Sequence, residues 1–333
     1  MYAKHLFNRP ALALQLGSRR VANLVRPNYV VTRAIGLPRA MNNSAVGKSG
    51  TSSTSNKAPG TQIGADTEEL YKTRSIQDLL SLKGRVTVVT GGARGIGLAL
   101  ARGAAELGSD VAVLDVLEKP SEAFFELESE LGVRAKYYRT SVTDVNGLTS
   151  SFESVVKDFG RIDNCVTAAG IVHDKPFLET TWDDGARVLE VNVMGTFLSV
   201  QLAAKQMRAQ KTGGSIVMIA SIAARAALPS QRLSIYGASK GAVKSLCQQL
   251  SVELGPLGIR VNSISPGYIA TEMTKGLAVT NPELFSVFQS AAPLQRIGDR
   301  VDLKAVAGCL SDAAAYTTGS DILVTGGLHA GQM

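Results

Sequence analysis

A chain of 333 residues is long enough for one large hydrophobic core or two smaller ones. With 45% hydrophobic and 19% charged residues, most of it is excluded from the disordered class. No run approaches the roughly 18 unbroken apolar residues that a membrane span needs. The net charge of +7 is local: residues 1–65 hold nine of the 35 basic residues and none of the 28 acidic ones, which leaves 26 basic against 28 acidic in the remainder. A body with no basic surplus argues against a nucleic-acid partner.

Residues 1–40 are rich in arginine and free of acid, the composition of a mitochondrial transit segment, whose positive charge draws it inward. The longest apolar run there, Ala11–Leu14, is too short for a secretory signal. Pro10 and Pro27 interrupt any long helix, so an ordinary tail is the other reading. The first implies the mitochondrial matrix, the second the cytoplasm. Residues 41–66 are Ser/Thr/Gly/Asn-rich and read as a disordered linker. The catalytic-domain candidate is residues 67–333, with an amphipathic lead-in over Thr67–Leu82.

From Gly84 onward the pattern alternates strand and helix. Strands are expected at Arg85–Thr90, Val111–Asp115, Ala135–Thr140, Asp163–Ala168, Ser215–Ala220, Arg260–Ser265 and Asp321–Thr325. Between them lie helices at Ile96–Leu107, Ser121–Leu131, Asp144–Phe159, Trp182–Ala209 and Tyr236–Leu254, with further helical stretches near 281–291 and 299–311. Apolar strands alternating with helices predict right-handed βαβ units. The expected fold is a single-domain, doubly wound α/β Rossmann fold with a seven-stranded parallel sheet. Cys165, Cys247 and Cys309 are far apart and form no CxxC pair, so they read as buried hydrophobes. His173 has no second His or Cys nearby, and no metal site is expected.

The segment Thr90-Gly-Gly-Ala-Arg-Gly-Ile-Gly97 lies between the first strand and the first helix. Glycines 91, 95 and 97 allow a tight turn and close approach of a pyrophosphate to the helix N-terminus. Asp115 ends the second strand, 18 residues beyond Gly97. A carboxylate there accepts from an adenosine ribose and repels a 2′-phosphate, which favours NAD. Arg94 in the turn argues for NADP, so both cofactors stay open.

In Tyr236-Gly-Ala-Ser-Lys240 the phenol and ammonium share one helix face. A lysine beside a phenol pulls its pKa of about 10 towards neutrality, which suits a proton donor or acceptor. Ser221, at a strand end 15 residues earlier, offers a hydroxyl to the same oxygen. Asn192, inside a long apolar helix, needs a buried partner.

In order, TGGARGIG, a strand-end Asp, AAG after the fourth strand, a helical Asn, a strand-end Ser, YGASK and Ser265-Pro-Gly-Tyr-Ile269 resemble the short-chain dehydrogenase/reductase family over residues 80–328. Within it the chain is most similar to fungal-type polyol dehydrogenases and ketose reductases acting on arabinitol, mannitol, sorbose or xylulose. The resemblance implies an NAD(P)-dependent enzyme interconverting a secondary alcohol and a ketone, with Tyr236 as general acid/base. Lys240 would tune it and hold the nicotinamide ribose, Ser221 would position the substrate oxygen, and Asn192 would hold a relay water. It places Gly91, Arg94, Gly95, Ile96, Gly97, Asp115, Ser141, Val142, Ala169, Gly170, Pro266, Gly267, Ile269 and Thr271 at the cofactor, with the Ile269 backbone toward the carboxamide. It also implies a homotetramer or homodimer through the helices near 144–159, 182–209 and 236–254. A reductase of a larger ketone (polyketide, steroid or 3-oxoacyl) uses the same residues, and a non-catalytic cofactor-binding module is the third possibility.

Two positions depart from the family pattern. Thr167 stands where an Asn usually braces the sheet, with little effect on chemistry expected, and Ser141 stands where an Asp often binds the adenine amino group, with weaker cofactor affinity but intact catalysis expected. Substrate choice is expected from the loops Ile171–Thr181, Ala223–Ser234 and Tyr268–Pro282, with His173, Asp174, Arg225, Gln231 and Arg232 as polar candidates.

Overall fold

Hydrophobic, β-branched runs pack side by side at the centre of the molecule. A computed structural model describes residues 66–228, 231–272, 274 and 281–330. The expected import segment and all but the last residue of the expected linker lie outside the described residues. Among those described, no helix is long and apolar enough to cross a membrane.

The strands are β1 (Val86–Thr90), β2 (Asp110–Asp115), β3 (Ala135–Arg139), β4 (Asn164–Thr167), β5 (Gly214–Ile219), β6 (Ile259–Pro266) and β7 (Asp321–Val324). They form one parallel sheet in the order β3-β2-β1-β4-β5-β6-β7. β1 is buried at every position, as a strand covered on both faces must be. It pairs with β2 on one side and β4 on the other, Thr90 standing opposite both Leu114 and Thr167. The order reverses there, so a crevice opens beyond the carboxyl ends of β1 and β4.

After the lead-in helices α1 (Asp66–Thr73) and α2 (Ile76–Leu80) come α3 (Gly95–Glu106), α4 (Glu122–Leu131) and α5 (Val145–Phe159). Asp144 caps α5 by accepting from the Gly147 N–H, and Gly160 ends it at φ 83°. Then follow α6 (Trp182–Leu189), α7 (Thr196–Gln210), α8 (Ser234–Leu254), α9 (Pro282–Ser290) and α10 (Arg300–Lys304). One core joins Leu148, Phe152 and Val155 of α5 to Met207 of α7 and Val243 of α8. The other joins Leu100 and Ala104 of α3 to Leu127 of α4 and Leu303 of α10. Each such Leu, Phe or Val contributes about 1.5–3 kcal/mol by leaving water.

The structure differs from expectation in the long helix over 182–209. A Thr181/Asp184 capping box starts α6, and a π-helical turn over Glu190–Gly195 separates it from α7. The cause is tertiary. Gly195 sits so close to Val142 that an added Cβ would lie 2.5 Å from Val142 Cγ2. Asn192 is turned inward at the same turn, to bond the backbone of Ile171. The stretch near 299–311 also tightens, continuing from α10 as a 3₁₀ helix over Ala305–Leu310.

Candidate active site

The turn after β1 is shaped by missing side chains. Gly91 has φ 71°, and a Cβ on it would lie 2.3 Å from the Ala169 nitrogen. A Cβ on Gly97 would lie 2.1 Å from the Gly91 carbonyl oxygen. The turn is therefore pressed against the strand end after β4 on one side and its own helix on the other. Arg94 occupies the N-cap of α3 without a capping side-chain bond, so the positive end of the helix is left open. Gly95 and Ile96 open that first turn. This cradle fits a pyrophosphate.

Asp115 reaches back to the turn. Its Oδ2 accepts from the Ala93 N–H at 3.1 Å and its Oδ1 from the Leu117 N–H at 3.2 Å. Both bonds fix the carboxylate at the end of β2. Arg94 is exposed and makes no ion pair with a described residue. The Ser141 hydroxyl is engaged within its own turn, 2.9 Å from Thr143 Oγ1, and Val142 is buried beneath Gly195. On the opposite side, Gly267 donates to Val324, and Ile269 bridges Gly298. Thr274 Oγ1 accepts from the Thr271 N–H at 2.7 Å and donates to the Ile269 carbonyl at 3.1 Å. These bonds hold the loop after Pro266 so that Thr271 Cγ2 lies 3.9 Å from where a Gly95 Cβ would be.

Ser221, Tyr236, Lys240 and Asn192 do meet. Lys240 is 5% exposed; its Nζ lies 5.9 Å from the centre of the Tyr236 ring and donates to the Ile219 carbonyl at 2.7 Å. A Cβ on Gly170 would lie 3.3 Å from Asn192 Oδ1 and 3.5 Å from Lys240 Nζ, so Gly170 leaves the space in front of both. Burial pulls the Lys240 ammonium down to about 8. Burial pushes the Tyr236 phenol up, and a hydrogen bond with the Ser221 side chain pulls it partly back. The lysine was expected to drive the phenol towards neutrality. In the chain by itself desolvation wins, because a buried phenolate loses more hydration than one hydroxyl restores.

The Asn192 amide spends both hydrogens and one of the two lone pairs of its oxygen on the protein. Its Oδ1 accepts from the Ile171 N–H at 2.8 Å, while Nδ2 donates to the Ile171 carbonyl and to Ser239 Oγ, each at 2.9 Å. Ser239, fully buried, was passed over in the sequence, although it lies inside the YGASK motif.

The rim loops are tied to the scaffold. Arg225 Nε pairs with Asp321 Oδ2 and Arg232 Nε with Asp174 Oδ1, both at 2.9 Å. Gln231 accepts from the Tyr268 hydroxyl at 3.4 Å. His173 Nε2 lies 3.6 Å from Asp184 Oδ2, an oxygen that Lys175 also approaches at 2.9 Å. Hydrogen bonds from Thr181, then from Lys175, hold the Asp184 carboxyl well below the usual carboxylate range. The 560 Å³ cavity in this region is lined by Ala223–Leu228 and by Ser234, Gly237 and Ala238 of α8. Gly237 and Ala238 directly follow Tyr236, and Ala223 stands two residues after Ser221. Thr167 Oγ1 is buried without a partner, so the hydroxyl does not replace an amide brace.

Comparison with known proteins places this geometry. The family model described as enoyl-(acyl carrier protein) reductase matches residues 91–329. The chain is 36% identical over 258 residues to the NADP-dependent mannitol dehydrogenase of Hypocrea jecorina, covering 75% of this chain and 94% of that one. It is 36% identical over 257 residues to a sorbose reductase of Candida albicans, covering 76% and 90%. The crystal structure of a gluconate 5-dehydrogenase from Burkholderia cenocepacia, in complex with NADP and tartrate, superposes with a TM-score of 0.71 at 30% identity, covering 77% and 99%.

Proposed function

Since the chain belongs to the short-chain dehydrogenase/reductase family, we propose that its crevice interconverts a secondary alcohol and a ketone of the sugar-alcohol and ketose kind, using a nicotinamide dinucleotide. The observation that carries this is the meeting of Ser221, Tyr236 and Lys240 beside an uncapped glycine turn. The relatives named for mannitol, sorbose and gluconate support the substrate class.

Gly91, Gly95, Ile96 and Gly97 hold the pyrophosphate, with Arg94 at the rim of the turn. Asp115 holds the adenosine ribose, Ser141 and Val142 flank the adenine, and Ala169 and Gly170 line the floor. Pro266, Gly267, Ile269 and Thr271 flank the nicotinamide, which when bound supplies the two-electron carrier for hydride. The anchored Asp115 carboxylate favours NAD, unlike the mannitol dehydrogenase named as NADP-dependent.

Tyr236 gives or takes one proton at the substrate oxygen, and Ser221 hydrogen-bonds the same oxygen. A phenol pushed up by burial is protonated at neutral pH, ready to donate to a carbonyl; alcohol oxidation needs the phenolate and gains as pH rises. Lys240, fixed by Ile219, keeps hydrogens for the ribose and stabilises the phenolate as it forms. With both Asn192 amide hydrogens engaged, that side chain holds a relay water only by accepting from it at the remaining lone pair of Oδ1.

Residues 1–40 act as a mitochondrial import segment and 41–66 as its linker to the catalytic domain at 67–333; their acid-free, then Ser/Gly-rich composition supports this. The enzyme is a homotetramer or homodimer. Trp182 (88% exposed) and Met194 (58%) on the α6–α7 segment supply apolar surface for such contacts.

The test is Tyr236→Phe, assayed on a panel of polyols and bulky ketones with NAD and NADP in parallel. Turnover falls at least about 100-fold while NADH still binds. Near-wild-type turnover removes Tyr236 from its role, and activity confined to bulky ketones overturns the sugar assignment.

A further inference from the structure

The hydrogen bonds at the head of α8 run in one direction. Ser239 Oγ donates to the Tyr236 carbonyl at 2.7 Å, an oxygen that can only accept. Its lone pair is then free for the Asn192 Nδ2 donor at 2.9 Å. That choice orients the amide, so Oδ1 must face the Ile171 N–H and not its carbonyl. The line Ile171–Asn192–Ser239–Tyr236 thus joins the strand end after β4, the π-helical turn and the first turn of α8. It is buried at its two central members, both 0% exposed. A buried, fully satisfied polar line rigidifies what it connects, because every alternative rotamer leaves a donor or acceptor unmet.

We propose that Ser239 is a positioning residue for the reaction: through its hydroxyl it holds the backbone of Tyr236 and the amide of Asn192 in one register, and so sets where the phenol stands relative to Ser221 and Lys240. It does not touch substrate. Tyr236 is the third residue of α8, near the end where a helix frays, and the helix has no side-chain hydrogen bond at its N-cap. The Ser239 bond satisfies none of the free N–H groups of that end but grips a carbonyl of the first turn from inside the helix. Without it, Asn192 keeps a buried N–H with no acceptor and the first turn of α8 loses its tie to the π-helical turn.

This rests on the acid/base role of Tyr236, so Tyr236→Phe runs alongside. The experiment compares Ser239→Ala and Ser239→Cys with wild type in steady-state kinetics, NADH fluorescence titration and solvent deuterium isotope effects on kcat. Cysteine keeps nearly the same volume but offers only a weak S–H donor. In Ser239→Ala, kcat falls at least about tenfold while the NADH Kd stays within about twofold, and the solvent isotope effect rises as proton transfer becomes the slow step. Ser239→Cys falls between the two. Wild-type kcat in both variants, with Tyr236→Phe inactive, overturns the proposal alone. So does a loss of kcat matched by an equal loss of NADH affinity with an unchanged isotope effect, which marks a merely structural serine. If alanine does not fold, Ser239→Cys decides by the same criteria. An active Tyr236→Phe overturns the acid/base role and the Ser239 proposal with it.

Discussion

The turn after β1 and the head of α8 border the same crevice but are built from different material. The turn is backbone: Gly91, Gly95 and Gly97 are defined by the side chains they lack, and its anion-binding groups are peptide N–H groups at an uncapped helix end. The head of α8 is side chain: Asn192, Ser221, Tyr236, Ser239 and Lys240 come from three stretches of chain and meet through hydrogen bonds and burial. A backbone site is specified by neighbours in sequence and fails by steric overlap. A side-chain site is specified by the fold around it and fails by losing a partner. Substitutions in the two regions should therefore break different things.

The largest expected effect is on the turn. Gly97→Ala puts a methyl carbon 2.1 Å from the Gly91 carbonyl oxygen, which neither backbone can avoid without opening the cradle. NAD(H) affinity falls by at least about 100-fold, measured by NADH fluorescence, an upper range for loss of a helix-end phosphate site with its backbone contacts. Gly132→Ala is the control: unlike Gly97 it has positive φ, at 65°, but nothing lies within 4 Å of the new methyl. It costs about 1 kcal/mol of stability and leaves affinity unchanged. Unchanged affinity in Gly97→Ala would mean that the close pass of Gly97 over the Gly91 carbonyl does not shape the cradle.

Next comes the one side chain that serves the turn. Asp115→Ser removes the carboxylate anchored by Ala93 and Leu117. The ratio of kcat/KM for NAD over NADP falls at least about tenfold, because both the ribose acceptor and the repulsion of a 2′-phosphate are lost. An unchanged ratio would transfer cofactor choice from Asp115 to Arg94.

This difference in material also explains what could be read in the sequence. The alternation of strands and helices, the sheet, the glycine turn and Asp115 rest on local patterns, and the strands lie within a residue of their expected bounds at both ends. Asn192, Ser221, Tyr236 and Lys240 were found because each is chemically conspicuous. Ser239 was not, since a serine on a helix is ordinary until Asn192 is seen beside it. The π-helical turn left one sign, the polar Asn192 inside an apolar helix, which also reads as bracing a kink; the close pass of Val142 under Gly195 left none. The rim candidates read as free polar groups because their partners are remote: Arg225 and Asp321 stand 96 residues apart.

The side-chain region carries its own pH signature. Lys240 is held at about 8 against an ordinary 10.5, so below pH 8 the folded state bears a buried ammonium that the unfolded chain keeps in water. Between pH 8 and 10.5 the unfolded chain binds more protons, and stability rises with pH on account of this group. In the apoenzyme, the unfolding free energy of wild type relative to Lys240→Met should therefore climb by on the order of 3 kcal/mol across that window and be flat below it. Using the difference between the two proteins cancels the opposing slope from Tyr236 and the buried cysteines, whose pKa values are raised. A flat difference would place the ammonium in water.

The smallest effect lies on the seam between the two regions. Thr167 ends β4 directly opposite Thr90 at the end of β1, where the glycine turn begins. It is 2% exposed, and its hydroxyl has no partner. A buried hydroxyl without a bond is a standing cost, whereas valine has the same shape and no polar atom to satisfy. Thr167→Val should therefore stabilise the protein by about 1 kcal/mol in chemical denaturation, with kcat and NADH affinity unchanged. A loss of stability would show that the hydroxyl is bonded in solution, and a loss of kcat would show that it braces the strand end holding Ala169 and Gly170. In that case the seam would belong to the side-chain region and not to the backbone cradle.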